Sequence, residues 1–287
     1  MIALLQPLRR AAVRTIKPKV SRSTWDVIRS FEPSPQKRAH RRAQELKRKK
    51  SVTAATQDLT SLARQFGTDK WGTHRYVSHY QHHFGKFKND RFSLLEIGIG
   101  GYRRDKAGGR SLRMWKAFFP NAQIIGLDIE DKSFVVEPRI TAYKGSQTNE
   151  PLLRTIVDSA ENLQIVVDDG SHRPEHVRRT FEILFPMLPA GGLYAIEDTQ
   201  TSYWPRYGGS LDLDDKSTTM GLVKRFVDGL NYEEWQDGEH EATDTDRNIV
   251  AIHCYHNLVI IEKGPNNEGT NRKGHDRVAL APKPSGP

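Results

Sequence analysis

The stretch LLEIGIGGY, residues 94–102, decides the fold. Its apolar residues and one Glu run directly into a glycine cluster, which predicts a buried strand followed by a tight turn. In a doubly wound sheet, a nucleotide-like ligand binds beyond the carboxyl end of such a strand. Gly98 and Gly100 would let the backbone approach that ligand closely. The signal is weak when taken alone, because glycine turns after strands are common.

Strands and helices alternate around this stretch, which predicts a parallel sheet covered on both faces. Further strands are predicted at QIIGLDI, RITAYKG, LQIVVDDG and GGLYAIED. Helices are predicted at TQDLTSLARQFG, SLRMWKAFF (with Ser111 as its N-cap), EPLLRTIVDSA and EHVRRTFEILFPML. NIVAIHCYH and NLVIIEKG follow each other too closely for a crossover and predict an antiparallel hairpin. The expected fold is therefore α/β and Rossmann-like, with a mostly parallel, doubly wound sheet and a C-terminal antiparallel β-hairpin.

The positive charge of the chain is concentrated at its N-terminal end. Residues 1–50 carry 15 of the 44 Lys and Arg residues but only 3 of the 35 Asp and Glu residues. The rest of the chain therefore carries 29 basic and 32 acidic residues, so we expect no nucleic acid at the core. We predict a basic extension over residues 1–55, partly helical or disordered, a folded domain over 56–264 and a disordered tail over 265–287.

The cysteine content and the hydropathy favour a cytoplasmic protein. The single cysteine, Cys254, allows no disulfide within the chain, and we expect it to be buried. No apolar run approaches the length of about 20 residues that spans a bilayer. The opening MIALLQPLRRAAVRTI is compatible with an amphipathic surface helix and hence with weak, peripheral membrane association. A solvated tail or a partner-binding helix are the alternatives.

The residues around the glycine cluster favour a positively charged cofactor over a dinucleotide. A dinucleotide fingerprint would need a third glycine where Arg103 stands. Glu96, near the end of the strand, would repel a pyrophosphate but suits the ammonium of S-adenosylmethionine. Asp128 ends the next strand, where an acid can accept hydrogen bonds from ribose hydroxyls. A turn or helix-capping role for Asp128 is the alternative.

Pairs of acids end two successive strands. Asp168 and Asp169 follow one strand, and Glu197 and Asp198 follow the next. Parallel neighbours bring these ends together, so the carboxylates would repel each other unless something positive lies between them. Such an oxygen-rich cluster suits Mg²⁺. His172, three residues after Asp169, lies in a loop that leads to a helix. It could take a proton from a metal-bound hydroxyl, and the alternative is a histidine with no special role.

From about Leu62 to Lys263 the sequence resembles the metal-dependent sugar O-methyltransferases of macrolide biosynthesis. The matching stretches are FGTDKWGTHRYVSHYQHHFG, LLEIGIGGY, GGRSLRMWKAFFPNAQIIGLDI, DDGSHRPEHVRRTFEILFP and GGLYAIEDTQTSYWPRYGG. The resemblance implies a class I methyltransferase fold and an enzyme that uses S-adenosylmethionine and Mg²⁺. It also implies a small-molecule glycoside or glycolipid as the acceptor, and it is compatible with a homo-oligomer.

The resemblance also assigns residues to roles. Asp169, Glu197 and Asp198 would ligate Mg²⁺, and His172 would be the general base. The residues around S-adenosylmethionine would be Glu96, Gly98, Gly100, Ser111, Asp128 and Asp168. The aromatic loop after the fifth strand, with Tyr203, Trp204 and Arg206, would contact the acceptor, and its rings could stack on a sugar or on an aromatic ring alike.

Three other functions remain open at this stage. A nicotinamide-dependent oxidoreductase fits the sheet alone, although Arg103 and Glu96 disfavour it. A metal-dependent methyltransferase of a catechol or another small diol would use the same site. A non-catalytic module that binds a partner through the basic extension would not need the carboxylates at all.

Overall fold

The computed structural model describes residues 58–102, 106–236 and 240–271. The predictions for the N-terminal extension, its amphipathic start and most of the C-terminal tail lie outside these residues. Residues 265–271, the first part of the predicted tail, are hydrogen-bonded to the rest of the domain. The side chain of Asn266, for example, donates to the backbone oxygen atoms of Leu230 and Asp246. The domain boundaries stay a prediction.

Within the described residues the strands form one seven-stranded sheet in the order β3-β2-β1-β4-β5-β7-β6. Strands β1 to β5 are parallel, and β7 runs antiparallel to both β5 and β6. The predicted doubly wound sheet with a closing hairpin is therefore confirmed. The strands are β1 (Ser93–Ile97), β2 (Gln123–Asp128), β3 (Ile140–Lys144), β4 (Leu163–Asp168), β5 (Leu193–Glu197), β6 (Ile249–Tyr255) and β7 (Leu258–Lys263).

Helices cover both faces of the sheet, and each face has its own apolar core. One core takes in residues of α1 (Leu59–Phe66), α2 (Val77–Phe84) and α3 (Arg110–Phe118). The other takes in residues of α4 (Glu150–Ser159), α5 (Pro174–Leu184) and α6 (Thr219–Gly229). Successive residues of β1 alternate between them, because side chains along a strand point to opposite faces: Leu94 belongs to the first core and Leu95 to the second.

The local sequence explains where these helices begin and end. Asp58 caps α1 by accepting a hydrogen bond from the Ser61 amide at 2.7 Å, and Gly67 ends the helix with a left-handed backbone, φ 68°. Asn149 caps α4 in the same way, with a proline in the first turn as predicted. Among the described residues, no helix is long and apolar enough to cross a membrane.

Three local expectations were wrong or incomplete. Gly109, not Ser111, is the N-cap of α3, and Ser111 lies inside the helix. Cys254 is exposed and not buried, because β6 is the outermost strand of the sheet and carries few neighbours on its outer side. Helices α2 and α6 were not identified from the sequence.

Candidate functional site

The predicted acidic residues converge at one edge of the sheet. Ile97 at the end of β1 lies opposite Asp168 of β4, and Asp168 lies opposite Ile196 of β5. This register brings the carboxyl ends of the three central strands to the same level. The edge therefore collects the acids from all three strands, as their order in the sequence predicted.

Asp169, His172 and Asp198 form a cluster that could hold a metal ion; we call it the triad. One ligand atom from each lies within 4.8 Å of the other two. His172 Nε2 is 3.7 Å from Asp198 Oδ2 and 4.0 Å from Asp169 Oδ1. Each of the three side chains is about one fifth exposed. The triad is thus open on one side, which leaves room for water or substrate oxygens around a cation.

Two of the triad residues have an unusual backbone. His172 has φ 56° and Asp198 has φ 54°, a left-handed conformation that costs energy for residues other than glycine. The hydroxyl of Thr201 lies 2.8 Å from the His172 carbonyl oxygen and 3.0 Å from that of Asp198. Thr201 is buried, and its one hydroxyl hydrogen is shared between these two carbonyl oxygens, which links the two residues.

Below the triad lies a buried ion cluster around Lys70. The Lys70 ammonium is 2.8 Å from Asp169 Oδ2, 2.7 Å from Glu197 Oε1 and 3.1 Å from Glu96 Oε1. Burial alone would lower the pKa of Lys70, but the three carboxylates raise it well above its ordinary value. The positive group that the acids require is therefore, in part, a side chain of the protein itself.

Glu197 belongs to this buried cluster and not to the triad. Its Oε1 accepts hydrogen bonds from Lys70 Nζ at 2.7 Å and from the Tyr80 hydroxyl at 2.6 Å. Burial and the nearby charge of Asp169 raise the pKa of Glu197 well above its ordinary value, while Lys70 opposes that rise. Asp198, one residue later, instead accepts from the Tyr76 hydroxyl at 2.7 Å. Neighbouring residues thus occupy different environments.

Helix α2 and the closing hairpin hold this edge from the side. Tyr76, just before α2, and Tyr80, within it, are the two tyrosines that bind Asp198 and Glu197. The Tyr76 hydroxyl also lies 3.1 Å from the carbonyl oxygen of Asn257, in the turn between β6 and β7. That carbonyl additionally accepts the Thr199 amide at 3.3 Å. The hairpin turn is therefore bonded to Tyr76, which holds the Asp198 side chain, and to Thr199, the next residue in the chain.

A cavity of about 310 Å³ lies beside the triad, beyond the ends of β1 and β2. Gly98 and Asp128, both predicted to contact the cofactor, line it. Gly98 has φ 88°, and a Cβ atom there would lie 2.0 Å from the Asp169 carbonyl oxygen, so no other residue fits. Its role in this structure is to let the β1 and β4 loops meet. Gly100 has φ 70° but is not among the lining residues.

Asp128 is held by the loops that it faces. Its Oδ1 accepts the Glu130 amide at 2.9 Å, and its Oδ2 accepts the Ile99 amide at 2.8 Å and the Tyr102 hydroxyl at 3.0 Å. Asp128 therefore stabilises a turn, as its alternative interpretation held, and also forms a wall of the cavity. Burial and the Asp128 charge raise the pKa of Tyr102.

The remaining predicted cofactor residues, Glu96, Ser111 and Asp168, are buried and are not among the residues that line the cavity. Glu96 accepts a hydrogen bond from Trp115 Nε1 at 2.7 Å. Asp168 is bound by Gln147 Nε2 at 3.1 Å, and burial raises its pKa to about 7. Gln147 itself lines the cavity.

The aromatic loop follows Asp198 directly. Tyr203 and Trp204 are 44% and 39% exposed, and the Arg206 guanidinium lies 5.0 Å from the centre of the Trp204 ring. The loop consists of two short 3₁₀ helices, Thr199–Tyr203 and Pro205–Tyr207. It therefore presents flat apolar faces and a cation five to eight residues after Asp198.

The chain has close relatives among characterised enzymes. It is 47% identical over 220 residues to demethylmacrocin O-methyltransferase of Streptomyces fradiae, covering 76% of this chain and 56% of that enzyme. It is 46% identical over 215 residues to mycinamicin VI 2''-O-methyltransferase of Micromonospora griseorubida, covering 74% and 54%. The chain belongs to this family of sugar O-methyltransferases. No protein-family model matches it.

Solved structures agree with this assignment. MycE methyltransferase from the mycinamycin biosynthetic pathway, in complex with Mg and SAH, superposes with a TM-score of 0.73 at 44% identity. The match covers 76% of this chain and 57% of MycE. The class I methyltransferase fold is therefore confirmed. The chain spans about half the length of the relatives that it matches.

Sequence reasoning missed several residues that shape the site. The resemblance implied that the stretch TDKWGTHRY, with Asp69, Lys70 and His74, flanks the cofactor and acceptor, but it gave Lys70 no role among the acids. Tyr76, Tyr80, Thr201 and Gln147 were not singled out. Lys70 contacts residues 99 and 127 positions away, so no local pattern reveals it. The spacing of Tyr76 and Tyr80, four residues apart at the start of α2, was the one usable signal.

Proposed function

We propose that the chain contains the catalytic domain of an S-adenosylmethionine- and Mg²⁺-dependent O-methyltransferase. Its acceptor would be a sugar hydroxyl of a glycosylated natural product or glycolipid. The observation that carries the proposal is the open Asp169–His172–Asp198 triad beside a cavity at the strand ends, in a chain of this family.

The two aspartates of the triad fit a divalent cation. Asp169 and Asp198 offer hard carboxylate oxygens on an open side, which is what Mg²⁺ prefers. Glu197, the third predicted ligand, has Oε1 already bonded to Lys70 and Tyr80, and would add to the negative charge from beneath. When bound there, Mg²⁺ would lower the pKa of a sugar hydroxyl.

His172 would then accept the proton of that hydroxyl. Its Nε2 lies near an oxygen of each aspartate, so the two carboxylates would stabilise the imidazolium that forms. Thr201 keeps the histidine in place through its backbone. Most of the remaining catalysis would come from positioning the hydroxyl in line with the methyl group of the donor.

The adjacent cavity would hold S-adenosylmethionine. Its size is at the lower end of small-molecule sites, and Gly98 and Asp128 lie in its wall. The aromatic loop, with Tyr203, Trp204 and Arg206, would cover the acceptor, since sugar rings pack their apolar faces on aromatic side chains. Both named relatives above are sugar O-methyltransferases, which leaves the nicotinamide alternative without support.

A methyl-transfer assay on the purified protein tests the proposal. We expect S-adenosylhomocysteine to form with deoxysugar glycosides and Mg²⁺, and not with catechol. Asp198→Asn should remove the activity, whereas Asp158→Asn, at the exposed end of α4, should retain it. Turnover of catechol but of no glycoside would assign the chain to small-diol methyltransferases. No turnover of any acceptor would refute the proposed methyltransferase activity.

Two finer proposals concern partners. The first is that the chain forms a homo-oligomer, so light scattering of the full chain should give a mass well above the 32.7 kDa of one chain. Weak membrane association predicts co-sedimentation with anionic lipid vesicles that is lost when residues 1–50 are deleted. A monomer, or vesicle binding that does not need residues 1–50, would contradict the respective proposal.

A further inference from the structure

Lys70 reaches the site from a short loop with internal backbone hydrogen bonds. The loop joins α1 to α2, and it bonds to itself: the Tyr76 amide donates to the Lys70 carbonyl oxygen at 3.1 Å, and the His74 amide to that of Asp69 at 3.0 Å. The Lys70 side chain is 1% exposed. Burying a long, charged side chain so fully is costly, so its partners must repay that cost.

The ammonium lies close to three acids from three different strand ends. Glu96 belongs to β1, Asp169 follows β4 and Glu197 ends β5. The ammonium donates hydrogen bonds to Asp169 and Glu197 and forms an ion pair with Glu96 Oε1 at 3.1 Å. The one ammonium therefore ties the cofactor side of the sheet edge, at Glu96, to the triad side, at Asp169.

The two oxygens of Asp169 are divided between the two regions. Oδ2 is bound by Lys70 at 2.8 Å, whereas Oδ1 faces His172 Nε2 at 4.0 Å. With Oδ2 fixed, the carboxylate cannot rotate freely about its own axis. Oδ1 is therefore held toward the open side of the triad.

We propose that Lys70 is a positioning residue for the divalent cation of this enzyme, which it serves by fixing Asp169 through Oδ2. The proposal rests on the function proposed above. It deepens that function by naming a residue that is not itself a ligand but sets how well the triad binds metal. Groups that orient carboxylate ligands in this way typically contribute tenfold to a hundredfold to metal affinity.

A purely electrostatic role for Lys70 predicts the opposite sign. A positive charge near the triad repels a cation, so its removal would tighten metal binding if charge were all that mattered. Loss of a positioning contact would weaken binding. The direction of the change in metal affinity therefore separates the two roles.

The test is a titration of the purified full chain with Mn²⁺, without cofactor or acceptor. Electron paramagnetic resonance measures the free Mn²⁺ at each step and hence the Kd. We expect Lys70→Met to raise the Kd for Mn²⁺ by about tenfold or more. Lys86→Met is the matched control, because Lys86 pairs with Glu262 at the surface, and its Kd should equal that of the wild type. A Kd within threefold of wild type, or tighter, for Lys70→Met would overturn the proposal.

A second variant separates loss of metal binding from misfolding, because Lys70→Met leaves buried acids without their cation and can destabilise the fold. Lys70→Met with Glu96→Gln removes one charge of each sign, and the glutamine can still accept the Trp115 hydrogen bond. If this variant melts like the wild type and still binds Mn²⁺ weakly, Lys70 positions Asp169. If it binds like Glu96→Gln alone, Lys70 only compensates charge and the proposal fails.

The wild type separates this proposal from the proposed function. If the wild-type chain binds no Mn²⁺, the metal-dependent function and the role of Lys70 fall together. If the wild type binds Mn²⁺ and Lys70→Met binds it equally well, the role of Lys70 alone falls.

Discussion

The edge of the sheet carries acids in two contrasting settings. Glu197 is buried and is neutralised by Lys70 and Tyr80, groups of the chain itself. Asp198, the next residue, is one fifth exposed, and the imidazoles of His172 and His74 lie 3.7 Å from its oxygens. A buried acid must have its counter-charge built in, because water cannot supply one. An open acid can take its counter-charge from an ion in solution, and such an ion can exchange.

Removal of divalent metal is the change with the largest expected effect. EDTA should abolish methyl transfer completely, because it withdraws the exchangeable cation, and added Mg²⁺ should restore it. The buried cluster should not respond, since its cation is covalently part of the chain. Circular dichroism of the EDTA-treated protein should match that of the untreated protein. Full activity in metal-free protein would remove the metal from the mechanism.

Loss of the proposed base comes next. His172→Ala should lower kcat by about 10²- to 10⁴-fold, the usual contribution of a general base. His82→Gln, which changes an exposed histidine of α2, should stay close to wild type. Rates at saturating glycoside and cofactor measure both. A His172→Ala enzyme with a normal kcat would assign proton removal to another group.

A pair of tyrosines tests the contrast between the two settings directly. Tyr80→Phe leaves the buried Glu197 without one donor, so we expect a loss of about 1–3 kcal/mol in the free energy of unfolding. Tyr76→Phe removes a bond of similar length from the partly exposed Asp198, where water can replace it. Urea unfolding should show the smaller loss for Tyr76→Phe. Equal losses would mean that burial does not distinguish the two acids.

The last effect, which appears only at acidic pH, concerns the anchoring of α2, the helix that begins beside Tyr76 and contains Tyr80. His83 Nε2 lies 2.7 Å from the Tyr255 hydroxyl of β6, and burial, with the nearby His253, lowers its pKa to about 4. Between about pH 6.5 and 4 the unfolded chain binds a proton at this residue and the folded chain does not, so stability falls as pH falls. The other charged or titratable groups here are His79, His82, Lys86 and Glu262.

His83→Gln should remove this pH dependence. The difference in unfolding free energy between wild type and variant should shrink by about 1–3 kcal/mol from pH 7 to pH 4. Urea unfolding at several pH values measures it. A constant difference over that range would show that His83 is not the group that titrates.

The sequence predicted those features that depend on strand order. Glycines after β1 and acids after β4 and β5 had to meet, because parallel strands end at the same edge. What it could not predict was how the acids divide. Glu197 and Asp198 are adjacent in the chain, and only the fold shows that alternation along the strand end sends one to Lys70 and leaves the other near the surface. The loop that delivers Lys70 has no periodic pattern.

The same limit explains the smaller errors. Ser111 resembles an N-cap, but the left-handed Gly109 begins the helix two residues earlier. Cys254 lies in an apolar run, yet β6 has a neighbouring strand on one side only. The start of α3 and the exposure of Cys254 both depend on residues that are remote in sequence. The roles of the site residues themselves stay predictions until the experiments above are done.

The bond between Tyr76 and the turn at Asn257 links positions 181 residues apart. During synthesis the ribosome must therefore deliver almost the whole domain before Asp198 gains its full set of supports. A nascent chain that stops short of the hairpin could fold its central strands and would still lack the Asn257 support of Tyr76 and Thr199. Assembly of the edge around Asp198 therefore has to wait for the hairpin.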